Sequence, residues 1–201
     1  MKTLNLSVIV EGHGEREAVP LLLRRIRQIV SPDLDLKVLP PLRIGRYKLI
    51  KQGEIERAVE LAARRAQPPR AILILVDAED EAPCVLGPTL LARAKAARPD
   101  TPIGVVLAKH EFEAWFLAAM ESISSRRGLR PNLTAIAKPE AIRDAKGLLT
   151  SCMEGTRAYS PVVDQAALTA AFDMDVARKR SDSFDKCWRE AVRLFSLGAN
   201  P

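Results

Sequence analysis

Short, continuous apolar runs separated by helical stretches constrain this chain's fold more than any other feature. Ala71–Val76 (AILILV) and Ile103–Leu107 contain no polar side chain, and Leu4–Val10 (LNLSVIV) is a short run with a β-branched end. Such a run is a strand covered on both faces, as in a parallel sheet with helices above and below. Leu36–Leu39 reads as a further strand, stopped by Pro40-Pro41. Between the runs, Val19, Leu22, Leu23, Ile26 and Ile29 fall at helical spacing within Glu15–Val30. Ile55, Val59 and Ala62 or Ala63 share one face of Glu54–Ala66. Helices are also expected at Thr89–Ala97 and from Glu111 to Met120. The order β-α-β-α-β-α-β-α predicts an α/β fold with a mostly parallel sheet, helices on both faces and right-handed crossovers. After Ser122 the pattern changes to helices near 138–149, 164–172 and 183–196. The expected organisation is an α/β core over 1–125 and a helical C-terminal region over 126–201, as a cap or an extension of the same domain.

Bulk properties exclude several classes. With 201 residues, 47% apolar and 28% charged, the chain has the composition of a globular protein and not of a disordered one. Five Phe, two Trp and two Tyr are too few for a single-strand binder built on aromatic stacking. The net charge of +6 favours polyanionic partners, and the basic excess leans toward residues 126–201. Cys84, Cys152 and Cys187 form no CxxC pair and read as reduced thiols. No secretory leader and no stretch of membrane-spanning length is recognisable, so a cytoplasmic location is expected.

The chemistry points to carboxylates. Ligand sites in open parallel sheets form at the C-terminal ends of strands. Glu11 follows the first apolar strand, and Asp77 opens the acidic segment VDAEDE after the third, with Glu79 and Asp80 beside it. If the two strands are neighbours, the carboxylates meet at one rim, where hard oxygen ligands suit Mg²⁺. The plainer reading of acidic residues after strands is as helix caps or solvated loop residues, and Glu81 is assigned that role. The loop Glu11-Gly12-His13-Gly14-Glu15 allows a tight turn and a close backbone approach. A phosphate at the following helix N-terminus is a further expectation.

After the fourth strand comes His110-Glu111-Phe112-Glu113-Ala114-Trp115. Two glutamates two positions apart point in different directions on a helix, so at most one is expected at the site. His110 is a candidate acid or base, or else a capping histidine. Two basic stretches are candidate nucleic-acid contacts: Arg43, Arg46 and Lys48 in a loop, and Arg178, Lys179 and Arg180 at an expected helix start. Solvated loops explain the same residues.

VEGHGE before a helix and LILVDAEDE after a later strand resemble the Toprim fold of primases, topoisomerases and nucleases of the overcoming-lysogenization-defect type. VEGHGEREAVPLLLRR, VDAEDEAPCVLGPTLLARA, HEFEAWFLAA, Tyr159-Ser160-Pro161 and Ser183-Phe184 are similar to the DUF4276 family of Toprim-like bacterial proteins, over nearly the whole chain. The resemblance implies a Mg²⁺ site (Mn²⁺ as substitute) on Glu11, Asp77 and Glu79, with Asp80 and Glu113 as further ligands. Glu79 departs from the Toprim pattern, which has Asp there. It also implies Glu11 as general acid or base, and a nuclease or related phosphodiester-transfer activity. A partner ATPase of the ABC or AAA type, acting in trans in phage defence, is implied as well. The rival expectations are a catalytically inactive binding or regulatory subunit of such an ATPase complex, and a phosphohydrolase for small molecules.

Overall fold

A computed structural model describes residues 2–197. Five strands form one parallel sheet: β1 (Lys2–Val10), β2 (Leu34–Val38), β3 (Leu42–Arg43), β4 (Arg70–Asp77) and β5 (Ile103–Ala108), in the order β2-β1-β4-β5. β2 and β3 form one interrupted lane along the same edge of β1. β2 pairs with Lys2–Leu6 and β3 with Ile9 and Val10. Pro40 and Pro41 lie between them, and neither has an N–H to donate to β1. Pairing resumes once Leu42 is reached. The second strand therefore begins at Leu34, earlier than the apolar pattern indicates, and the two-residue β3 has no periodicity to reveal it.

Each central strand sends alternate side chains to opposite faces. Leu4, Leu6, Val8 and Val10 of β1, Ala71, Leu73 and Leu75 of β4, and Val106 and Ala108 of β5 enter one core. They meet α1 (Glu15–Val30) and the C-terminal helices α7 (Ala166–Ala171), α8 (Met174–Arg180) and α9 (Asp182–Leu197). Ile9, Ile72, Ile74, Val76, Ile103, Val105 and Leu107 enter the other, against α3 (Glu54–Arg65) and α4 (Pro83–Ala97). Residues from 129 to 195 thus share a core with β1 and α1. Gly104 marks the closest approach of α9 to the sheet. A Cβ there would lie 3.0 Å from Glu190 Oε2 and 3.2 Å from Leu194 Cδ1. Gly104→Ala is expected to cost about 1 kcal/mol, the usual scale of mild overpacking; urea unfolding of the variant tests this, and an unchanged midpoint would refute it.

The remaining helices are α2 (Arg46–Leu49), α5 (Ala114–Ala118) and α6 (Ala145–Ser151), with a π-helical turn at Pro161–Gln165. α2 occupies part of the expected basic loop. Arg178, Lys179 and Arg180 form the last turn of α8 and immediately precede α9, which starts at Asp182 close to the helix start expected there. Their charges complement the negative end of the helix dipole. Asp173 caps the other end, accepting from the amides of Asp175 and Val176.

The connection pattern locates a crevice. α1 covers one face and carries the chain to β2 on one side of β1, whereas α3 covers the opposite face and carries it to β4 on the other side. The carboxyl ends of β1 and β4 are therefore the topological switch point of this open sheet, where ligand crevices form. No helix among the described residues is long and apolar enough to cross a membrane.

Candidate functional site: a carboxylate crevice at the switch point

Glu11 leaves the end of β1 and Asp77 ends β4. In the β1–β4 register Val10 lies opposite Leu75, so the two acids emerge on adjacent strands at the same rim. They line a crevice of about 280 Å³ together with Gly12, His13, Gly14, Glu15, Glu113, Lys146, Pro161, Val162 and Gln165. The C-terminal region supplies one wall.

Asp77 shares the parity of Leu73 and Leu75 and points toward that wall. Its Oδ1 accepts the Phe112 amide at 2.8 Å, fastening the end of β4 to the turn after β5. Its Oδ2 lies 3.8 Å from Lys146 Nζ. Burial pushes its pKa well above the ordinary carboxylate value; Glu15, Glu113 and Glu11 add to this and Lys146 opposes it.

Glu113 has no exposed surface. Its Oε1 accepts from Tyr159 Oη at 2.9 Å and Gln165 Nε2 at 3.3 Å. Its Oε2 has no hydrogen-bond donor and lies 3.4 Å from Lys146 Nζ. Burial raises its pKa, with Lys146 and Tyr159 pulling it back. Glu111 was expected to point elsewhere, but α5 begins only at Ala114 and both glutamates sit in the preceding turn. They converge on the same ammonium, with Glu111 Oε1 2.9 Å from Lys146 Nζ.

Glu15 is the residue that sequence reasoning missed. It opens α1, where an acid is ordinarily a solvated partner of the helix dipole. Here it is 4% exposed and turned back, its Oε2 accepting the amides of Glu11 and Gly12 at 3.0 Å each. A carboxylate of the chain itself thus holds the loop amides that precede α1. Burial, with added repulsion from Glu113 and Glu11, lifts its pKa to about 7 against the pull of the two amides. Gly14 is needed for contact with protein. A Cβ there would fall on Gln165 Oε1 and the Pro161 carbonyl. The π-helical turn therefore clamps the Gly-rich loop.

Glu11 is half-buried, and its Oε2 has no donor. Burial raises its pKa; the charge of Glu79 adds to the rise, while the amides of Asp77 and Arg46 and the Arg46 charge oppose it. Glu79 is thus close enough for Glu11 to feel it, yet it does not line the crevice. Its backbone has φ +50° and forms a bridge with His110. The Glu79 amide donates to His110 O at 3.0 Å, and His110 Nδ1 lies 2.6 Å from Glu79 O. The Glu79 carboxylate lies 3.4 Å from both Arg46 Nη1 and Tyr47 Oη. His110 is thereby engaged as a backbone clip, while His13 is exposed at the crevice. Asp80 is an exposed residue paired with Arg143. Among the described residues, no three His, Cys, Asp or Glu side chains are arranged to hold a metal ion.

The basic candidates lie away from the crevice lining. Arg46 is 3% exposed, and its guanidinium is directed to Glu79, Glu81 and the Ala78 carbonyl. Arg43 and Lys48 are exposed. Arg178 lies over the Trp188 ring at 4.5 Å, Arg180 pairs with Glu121 at 2.6 Å, and Lys179 is exposed.

Segments distant in sequence meet here. Tyr159 docks on Glu113, and Ser183 Oγ accepts from Trp115 Nε1 at 2.8 Å and from the Lys109 amide at 3.2 Å. No curated protein and no solved structure matches the chain. A family model described as "Domain of unknown function (DUF4276)" matches residues 10–192, a span that takes in the whole carboxylate crevice and its C-terminal wall, and the chain belongs to that family.

Proposed function

We propose that the chain is a Mg²⁺-dependent nuclease or related phosphodiester-transfer enzyme acting on nucleic acid. The observation that carries the reading is the crowding of Glu11, Glu15, Asp77 and Glu113 around one crevice at the switch point of the sheet. Buried carboxylates raise one another's pKa and cost stability unless they serve a ligand. The donors fit a hard cation: all are oxygens, and Glu11 Oε2 and Glu113 Oε2 have no donor of their own. One or two carboxylates suffice for Mg²⁺, which keeps waters for a phosphate to replace. Glu11, Asp77 and Glu113 would hold Mg²⁺ or Mn²⁺, with Glu79 as a neighbour. The ion would supply charge neutralisation at a phosphodiester.

The chain's own residues do the rest. If Asp77 and Glu113 alone held the ion, Glu11, half-buried and with a raised pKa, would be the group to carry a proton at the crevice. Tyr159 and Gln165 fix Glu113, and Phe112 fixes Asp77. Arg43, Lys48 and Lys179 are exposed cations for the polynucleotide backbone. The likeness of VEGHGE and VDAEDE to Toprim nucleases supports the same assignment. It extends it to a cytoplasmic protein that works with an ATPase in trans in phage defence, which is analogy at the level of the fold.

A second reading, an inactive binding or regulatory subunit of an ATPase complex, is favoured by a different observation. Lys146 already occupies the space between Asp77, Glu111 and Glu113. Incubation of the purified chain with DNA and RNA, with Mg²⁺ or Mn²⁺ and with EDTA, separates the two. Metal-dependent cleavage lost in Glu11→Ala and Asp77→Ala supports the enzyme; absence of cleavage by the wild type, alone and with its ATPase, supports the subunit.

A further inference from the structure

Lys146 stands where a cation belongs. Its ammonium lies 2.9 Å from Glu111 Oε1, 3.4 Å from Glu113 Oε2 and 3.8 Å from Asp77 Oδ2. The three acids come from the ends of two neighbouring strands and the turn that follows them. The lysine comes from the start of α6 in the C-terminal region. Its backbone is pinned separately, since the Lys146 amide donates to Glu111 Oε2 at 3.0 Å. The side chain is 39% exposed, whereas Glu113 is fully enclosed. The ammonium therefore sits at the solvent side of the acids, on a flexible four-carbon stem, with its helix held in place independently.

We infer that Lys146 is the resident cation of this crevice, and that a divalent ion reaches the Asp77 and Glu113 carboxylates only by displacing its ammonium. Five carboxylates (Glu11, Glu15, Asp77, Glu111 and Glu113) share this neighbourhood with one lysine. Lys146, with the Arg46 charge that Glu11 feels, is outnumbered by these acids, so the cluster retains its attraction for a further cation. A divalent ion and the ammonium cannot both occupy the space between Asp77 and Glu113. Coulomb repulsion at such separations is large in a site of low dielectric. Lys146 thereby sets the threshold metal concentration and keeps the acids compensated when no metal is bound. Removing the ammonium leaves buried acids without their counterion, which is strongly destabilising unless another cation replaces it. The inference rests on the proposed function only in taking a divalent metal as the crevice's ligand.

Two measurements test it. In calorimetric titration with Mn²⁺, Lys146→Met is expected to bind about tenfold more tightly than wild type, because the competing charge is gone. The variant is also expected to melt lower than wild type in EDTA and to gain more from Mn²⁺. Equal or weaker binding by the variant, or no binding by either protein, overturns the inference. Should Lys146→Met fail to fold, the wild type answers alone. Saturating Mn²⁺ is expected to raise acylation of the Lys146 amine several-fold relative to Lys179, read by mass spectrometry, as the ammonium is released to solvent. Unchanged labelling at Lys146 refutes displacement. Tighter metal binding by Lys146→Met without polynucleotide cleavage by either protein leaves this inference standing and removes the nuclease reading. Metal-dependent cleavage by wild type with no gain in metal affinity for the variant does the reverse.

Discussion

Asp77→Asn is expected to lower metal-dependent polynucleotide cleavage by roughly three orders of magnitude, the several kcal/mol a metal ion contributes to a phosphoryl transition state. In EDTA at neutral pH the same variant is expected to be more stable than wild type. The two effects have one cause. Asp77, its side chain 14% exposed, lies beside Glu15, Glu113 and Glu11, so its negative charge opposes folding. Asparagine keeps an oxygen for the Phe112 amide, which now bonds Asp77 Oδ1 at 2.8 Å, and removes the charge. The loss of attraction for Lys146, 3.8 Å away, offsets part of the gain. A carboxylate with a purely structural role behaves in the opposite way, because its charge strengthens the bonds it accepts and neutralising it weakens them and destabilises the fold. Denaturant unfolding and a cleavage assay on the same preparation decide the matter. A variant that is less stable and fully active excludes Asp77 from function.

How much of this was legible in the sequence depends on the range of the forces involved. β4 and β5 could be read because a strand covered on both faces needs a near-continuous apolar run, and β1 from its β-branched Val8-Ile9-Val10 end despite Asn5 and Ser7. Placing Glu11 and Asp77 at strand ends followed from the same runs. That the two strands are neighbours stood only as a condition in the sequence, because the crossover rule fixes handedness and not strand order; the pairing of β1 with β4 supplies it. β3 and α2 are two and four residues long and carry no period. α4 begins at Pro83, ahead of the expected Thr89. Proline at the first turn was a signal, but Gly87 and Pro88 within the segment obscured it. Asp173 was likewise a readable cap for α8.

The site divides in the same way. Glu113 was identified and Glu15 was not, although both are acids near a helix start. Both are buried; Glu113 was reached through the resemblance carried by its HEFEAW segment, whereas nothing in the local sequence marks Glu15 as enclosed. Glu15 is enclosed by Pro161–Gln165 packing on the loop, a contact between residues about 150 apart in the chain, as the Gly14–Pro161 approach shows. Lys146 has no local signature, since its role exists only because α6 packs over the rim. Glu79 was read from its place beside Asp77 and from a partial match to the Toprim pattern. The left-handed backbone there, φ +50°, directs its carboxylate to Arg46 and Tyr47 in place of the crevice, and spacing cannot reveal such a turn.

Glu15→Gln separates the burden of the carboxylate cluster from its function. The Glu15 pKa is lifted from 4.5 to about 7. Between these values the folded chain holds a proton that the unfolded chain has released, so stability falls as pH rises through the window. Below pH 4.5 both states are protonated and the residue contributes its full share. Above pH 7 that share is gone, a loss of about 3 kcal/mol at 1.36 kcal/mol per unit. Glu15 is 4% exposed, so solvent screening does not reduce this figure. Glutamine retains an oxygen for the Glu11 and Gly12 amides and does not ionise. The variant is therefore expected to exceed wild type by about 2–3 kcal/mol at pH 8 and to match it near pH 4.5. Urea unfolding in EDTA at the two pH values measures the difference. A gain that is the same at both, or a loss at pH 8, shows that Glu15 is not ionising against its neighbours. With saturating Mg²⁺ the wild type is expected to recover most of the deficit at pH 8, because a cation among these carboxylates lowers every pKa in the cluster. Glutamine at position 15 then has nothing left to relieve.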